Sequence, residues 1–448
     1  MRLQSLIVVM SVAVLVAIFP ILSGCGSTVG DDITTQPAVV VFNEPVTMGN
    51  PERNPSDPYL QLAPDGDVVM SWTEQEPEDK DDGRNFLVTT VNSQGQSSSP
   101  IRQMNDQPGQ LSSHGGENLA KFAVNADNGI AAVWTTRGED YHTGDIWHSY
   151  GEETGSFAPA VRLNDDESAQ WNHAFSAIAT GPNGKMYATW MDGRNRNVLG
   201  YDNSNPDKKN KRIYEWDNSQ LMMAVSDNGG ETWGPNYPIS DFRVCSCCRP
   251  TIGFVDRGET MVVSYRLVAD DHLRDQVVMR STDGAKTFTE PVYISEDGWI
   301  NEACPHAGVS MDIDSTDTIH SLWWTAGSVD EEAGIYYKTS TDGGKSFSPR
   351  HLISRTLPQR VLHAQLTIDK SDTVWATWEE VEDEKVQIFL AYRDAQTGEW
   401  SQYHKLSDGT ANAVFPVVTT DDTSLYVAWT ERKGETSLTK LQTAEIGG

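Results

Sequence analysis

The chain is poor in cysteine, short of cations relative to anions, and nearly free of long apolar runs. Five cysteines in 448 residues are too few for a disulfide scaffold, so the fold has to rest on apolar burial. Thirty-four Lys and Arg stand against 64 Asp and Glu, a net charge of −30. So acidic a surface argues against nucleic acid or anionic lipid as the main partner, and keeps the chain soluble. Helical periodicity is missing as well, which leaves strands and turns as the building material. The one long apolar run, Leu6 to Leu22, ends in Leu22-Ser23-Gly24-Cys25.

In place of these features there is a repeat. Ser340-Thr341-Asp342-Gly343-Gly344-Lys345-Ser346-Phe347 recurs as Ser281-Thr282-Asp283-Gly284-Ala285-Lys286-Thr287-Phe288 and as Ser226-Asp227-Asn228-Gly229-Gly230-Glu231-Thr232-Trp233. The motif has the chemistry of a tight turn. Short polar side chains bond nearby backbone N–H groups, glycine supplies positive φ, and the closing aromatic enters the gap between neighbouring sheets. A second signal keeps step with it: apolar alternating runs end at Trp72, Trp134, Trp190, Tyr265, Trp324, Trp378 and Trp429. From Trp134 to Phe157, Tyr265 to Phe288 and Trp324 to Phe347 the gap is 23 residues. A unit of fixed size built from strands and turns predicts an all-β propeller of four-stranded blades. Seven blades follow from the aromatic strand ends, with six as the alternative because the first blade has the poorest turn, Ser93-Gln94-Gly95-Gln96. The strand near Val39 to Met48 has no partner repeat before it and closes the ring against the last blade.

The N-terminus divides into a signal peptide (1–24), a tether (25–37) and the propeller (38–448). Leu22 to Cys25 resembles a bacterial lipobox. That likeness implies cleavage before Cys25, a lipid on Cys25, and a place in the bacterial cell envelope, in the outer membrane by the residue at position 27. The remaining cysteines then meet an oxidising compartment.

The turns and the W-x-D/E strand ends together resemble the sialidase superfamily of Asp-box propellers. The likeness spans nearly the whole mature chain and is specific for fold rather than activity. It implies a glycoside hydrolase in which three arginines hold a sugar acid, an Asp serves as acid/base and a Tyr–Glu pair as nucleophile. On this sequence Asp192 would be the acid, and Tyr265 or Tyr214 the phenol. The family's Arg-Ile-Pro element is absent: the first inner strand begins Asp57-Pro58-Tyr59, with Arg53 upstream.

Blade topology sorts the remaining residues. Asp-box turns occupy one face, whereas inter-blade loops and loops after second strands share the other. That second face should gather Cys245, Cys247, Cys248 and Arg249, then Cys304 and His306, then His173, Arg194, Arg266, Arg274 and His363. The four mature cysteines leave two main readings open, with a reactive redox pair as a third. Two disulfides are one, each connectivity requiring a strained bridge between near neighbours. A soft-metal site of thiolates and His306 is the other, with Cu preferred over Zn. The arginines would hold an anion. A metal, a small molecule or a glycan is the expected ligand, and a non-catalytic interaction propeller is the third possibility. The insertion 195–217 reads as a lid or a solvated excursion, and Glu74 to Asp82 as a solvated acidic loop.

Overall fold

The computed structural model describes residues 40–446, apart from short segments at 78–82, 112–119, 137–143, 167–171, 195–197, 203–210, 215–218, 242, 246, 270–271, 302–305, 329–331 and 356–361. Cys25 and Cys304 therefore lie outside the described residues, as do the signal peptide and tether. Seven antiparallel sheets of four strands stand in a ring, the last with its outer strand broken in two. Inner strands run Ser56–Leu62, Lys121–Val124, His173–Thr180, Thr251–Val255, Ser310–Ile313, Ala364–Ile368 and Asn412–Thr420. All seven contribute side chains or backbone to one axial channel.

The strand-end signature has a local cause. Residues i and i+2 share a face of a strand, so an indole can reach the carboxylate two positions on. Trp72 Nε1 donates to Glu74 at 3.0 Å, Trp190 Nε1 to Asp192 at 2.9 Å, and Trp378 Nε1 to Glu380 at 3.2 Å. The apolar body of the ring fills the blade interface while its polar edge is satisfied. Trp72, Trp134, Trp190, Trp324, Trp378 and Trp429 are all buried, and truncating one such ring costs about 3–5 kcal/mol.

The repeated turns behave as their composition dictates. Ser340 Oγ donates to Asp342 Oδ1 at 2.8 Å and accepts from the Gly344 N–H at 2.9 Å. Asp342 Oδ1 also accepts from the N–H groups of Lys345 and Ser346. Gly343 and Gly344 carry φ of 69° and 82°. Phe288 and Phe347, the closing aromatics, pack against inter-blade cores.

Ring closure uses the predicted element. Val41–Phe42 and Val46–Met48 pair antiparallel with Thr436–Glu445, matching Val41 to Glu445 and Val46 to Leu441. Across the same joint the Asp57 N–H donates to Thr430 Oγ1 at 3.0 Å. Two loop readings change. Within the 195–217 insertion, Val198–Asp202 and Lys211–Tyr214 pair as a separate hairpin. Glu74 is no solvated residue: it lies within the strand Val68–Gln75, buried, accepting from Trp72 and from the Asn50 N–H at 2.7 Å.

Candidate functional site

The segment between blades three and four is pinned on both sides before its cysteines begin. The Val244 N–H donates to Ser219 O at 3.2 Å in blade three, and the Cys245 N–H to Arg266 O at 2.9 Å in blade four. The Cys248 N–H then turns back to Cys245 O at 3.4 Å. This tight turn gathers the side chains. Cys245 Sγ is 3.5 Å from Cys247 Sγ and 3.4 Å from Cys248 Sγ, and the three sulfurs all lie within 4.8 Å of one another. None is joined in a disulfide. Cys245 and Cys248 are three residues apart, the C-x-x-C spacing usual in structural zinc sites, so spacing gives no reason to rank zinc below copper.

The cluster sits deeper than the sequence suggested. Exposure is 0%, 4% and 0% for Cys245, Cys247 and Cys248, which share an apolar core with Phe175, Met191, Leu221, Met223 and Met261. It forms part of the joint between two blades.

Two guanidiniums stand beside it. Arg274 Nη1 donates to Cys245 Sγ at 3.0 Å, while its Nε reaches Asn301 O. Arg266 is fully buried; it donates to Arg274 O at 3.0 Å and to Ala307 O at 2.8 Å, and its plane lies over the Trp299 ring at 5.1 Å. Neither arginine forms an ion pair with a carboxylate among the described residues. Asp275 acts on Arg266 only through space, and burial, reinforced by Asp297, raises its own pKa. Burial alone would raise the Cys245 thiol. Hydrogen bonds from Cys247 and Cys248 and the charges of Arg274 and Arg266 outweigh it and hold Cys245 well below the usual thiol range. Burial and the neighbouring Cys245 push Cys248 upward. The sulfurs thus titrate as a set, with negative charge drawn toward Arg274.

The other expected residues divide among separate places. His306 has φ 55° and its ring lies 5.7 Å from Phe175; it is not among the mutually close donors, which are the three cysteines alone among the described residues. Asp192 is buried and accepts from Trp190, from the Arg194 N–H at 2.8 Å and from Arg194 Nη2 at 2.9 Å. Arg194 also pairs with Asp165 at 2.7 Å. His173 lies 3.3 Å from Asp166 and 3.6 Å from Asp192, with Nδ1 2.7 Å from Gly144 O. Burial works against its protonation, but the two carboxylates prevail and raise its pKa. Tyr265 is buried in the core between blades three and four, where desolvation raises its phenol, and no hydrogen bond joins it to Asp192. His363 Nδ1 is held 3.1 Å from Glu379, whose carboxylate also accepts the Phe415 N–H at 2.5 Å. The four arginines therefore do not form one anion clamp. Arg266 and Arg274 belong to the cysteine cluster, Arg194 to a blade-three acid network, and Arg249 to the channel.

That channel encloses about 520 Å³. Besides Arg249, its titratable lining groups are Tyr59, Lys121 and Asp312, none of which stood out in the sequence. The signal was there for Lys121, a lone cation opening the apolar strand Lys121-Phe122-Ala123-Val124.

No known family model matches this chain, and no curated protein matches it. Solved structures with the same ring do exist. A Dyadobacter fermentans protein of unknown function aligns at 11% identity over 91% of this chain and 99% of its own, with a TM-score of 0.52. A PL25 ulvan lyase bound to -[GlcA(1-4)Rha3S]- aligns at 11% identity over 88% and 95%, also with a TM-score of 0.52. The Hadza microbial sialidase Hz136 aligns at 14% identity over 81% and 73%, with a TM-score of 0.47. At these identities the likeness is one of fold.

Proposed function

We propose that this propeller is a cell-envelope protein that holds one soft metal ion on Cys245, Cys247 and Cys248, with copper(I) as the preferred ion. The observation that carries the reading is the pair of buried guanidiniums, Arg266 and Arg274, without carboxylate partners beside three sulfurs. Buried charge demands a counter-charge. A disulfide is neutral and would leave Arg274 without a counter-charge and Arg266 with Asp275 alone, acting through space. Three thiolates around a monovalent ion carry two net negative charges, matching two arginines; around zinc they carry one. Thioether and thiolate sulfur both favour copper(I), and Met191, Met223 and Met261 lie in the same core. Cys304 and His306, on the segment leading into blade five, are the natural further ligands. Anchoring through a lipid on Cys25 completes the proposal and accounts for a metal site on an exported chain.

Metal analysis of protein purified under reducing conditions tests it. About one copper or zinc per chain, lost in Cys247→Ser, is the expected result. Metal-free protein whose thiols are all oxidised would overturn it and leave an interaction propeller with disulfide-pinned blades.

The ulvan lyase among the structural neighbours favours a second reading, a glycan-active propeller for acidic sugars, in line with the sialidase resemblance. Its acid would be Asp192 and its phenol Tyr265. Both are buried and the first is engaged by Trp190 and Arg194, so the geometry supports this reading less. Turnover of a fluorogenic sialoside, abolished by Asp192→Asn, would establish it.

A further inference from the structure

The axial channel poses a problem of charge that the cysteine site does not solve. The chain carries 64 acidic residues against 34 basic ones. Yet Lys121 and Arg249 both line the channel, close enough for each to act on the other, and among the described residues Asp312 is the one carboxylate lining it. Asp312 is already engaged, accepting from the Ile313 N–H at 2.9 Å and the Ile368 N–H at 3.2 Å. The Lys121 ammonium has no hydrogen-bond or ion-pair partner among the described residues. An unpaired ammonium held beside a guanidinium is costly. Burial, then Arg249, bring its pKa down to about 7. Tyr59, from the first inner strand, faces the same pair; burial pushes its phenol up to about 12, so it remains a hydrogen-bond donor. Burial also pushes Asp312 up to about 6, so it loses its charge as pH falls through that value.

We infer that the channel binds a small oxyanion, a sulfate or carboxylate group, between Lys121 and Arg249, with the Tyr59 hydroxyl as a further donor. The space of about 520 Å³ is ample for such a group, and Gln61, Thr251 and Gln365 on the wall supply neutral polar contacts. This site is separate from the cysteine cluster and does not depend on its metal. An anion arriving there restores the proton to Lys121, so binding takes up a proton and weakens as pH rises through neutrality. The groups facing Lys121 across the channel are Tyr59, Arg249 and Asp312. Of the four, Lys121 at about 7 and Asp312 at about 6 change charge near neutral pH, and both changes weaken anion binding as pH rises.

Calorimetry and thermal melting of the whole protein, titrated with sodium sulfate, glucuronate, glucose and sodium chloride at matched ionic strength, provide the test. Sulfate or glucuronate should bind saturably and raise the melting temperature, whereas glucose and chloride should not. Sulfate alone would mark a free inorganic anion, and glucuronate an acidic sugar. Lys121→Met should weaken binding by about tenfold to a hundredfold, the worth of one charged hydrogen bond, and should melt higher than wild type without ligand. Tyr59→Phe should weaken it by several fold. Affinity should fall between about pH 6 and about pH 8 in wild type, and less steeply in Lys121→Met, where only Asp312 still titrates in that range. Anions no better than chloride, or a Lys121→Met protein that titrates like wild type, would overturn the inference, and metal content would be untouched by either result.

Discussion

Replacing Arg274 by methionine removes a charge from the cysteine cluster while keeping the apolar stem in place. The side chain donates to Cys245 Sγ at 3.0 Å, and its own pKa is raised against burial by the three cysteines. A hydrogen bond to a charged group contributes about 1.5–3 kcal/mol, and each 1.4 kcal/mol is about tenfold in affinity. Arg274→Met should therefore weaken copper(I) binding by about tenfold to a hundredfold. Because the thiols must release protons to bind metal, the pH of half-loading should also rise, by about one to two units. Competition against a colorimetric copper(I) chelator across pH measures both quantities. Arg274→Lys should recover part of the loss, since it restores the charge without the planar fork. Arg194→Met is the control, an arginine paired with Asp192 and Asp165 and not bonded to sulfur. Equal losses in Arg274→Met and Arg194→Met, or none in either, would refute the reasoning, because the effect would not come from the sulfur contact.

Three further outcomes follow from the geometry. The raised pKa of His173 means that its interaction with Asp166 and Asp192 stabilises the fold fully below its unfolded value of about 6.5 and is lost as pH rises through the folded value. Urea unfolding of His173→Asn should thus show a deficit that narrows from acid to alkaline pH; a gap that widens would contradict the pairing. Asp342→Ala should cost about 1–2 kcal/mol by removing a turn acceptor. Slight burial acts to raise the Asp342 carboxyl, but hydrogen bonds led by Ser346 hold it at about 2, so the deficit should vanish as pH falls toward that value, as denaturation in acid would show. Deleting the chain up to Met48 bares the outer edge of Thr436–Glu445 and should produce oligomers on size exclusion, whereas a stable monomer would show that the N-terminal strand is dispensable.

The ring was legible because a propeller writes its plan seven times. Each blade ends an apolar strand in an aromatic residue, four of them followed two positions on by a carboxylate, and three blades share one turn; the physical demand behind each is local. An indole needs a carboxylate two residues on, as Trp190 finds in Asp192. A tight turn needs an acceptor at its first residue, as Ser340 provides for Gly344. Such needs are met within a few residues, so sequence order carries them. Convergence of the Cys245–Cys248 turn with Arg266 and Arg274 was legible for a related reason, since alternating strand direction places their loops on one face.

Depth and pairing were not legible, because they depend on what the neighbouring blade presents. The same W-x-D pattern that announced a strand end made Asp192 look like a free acid, when the pattern itself commits that carboxylate to Trp190 and Arg194. The cysteines looked like a rim feature until the Met191, Met223 and Met261 side chains closed around them. Lys121 is the instructive case. Alternation along its strand turns Phe122 into the blade core, fully buried, and so turns Lys121 toward the axis. That much could be read from four residues. What makes the position chemically unusual is that Arg249, 128 positions later, faces the same space while Asp312 is held by backbone N–H groups. A Lys121 ammonium without a partner among the described residues, in a chain so rich in acid, is visible only once the ring has closed, and in an acidic propeller it points more directly to a ligand than any cluster of arginines counted along the sequence.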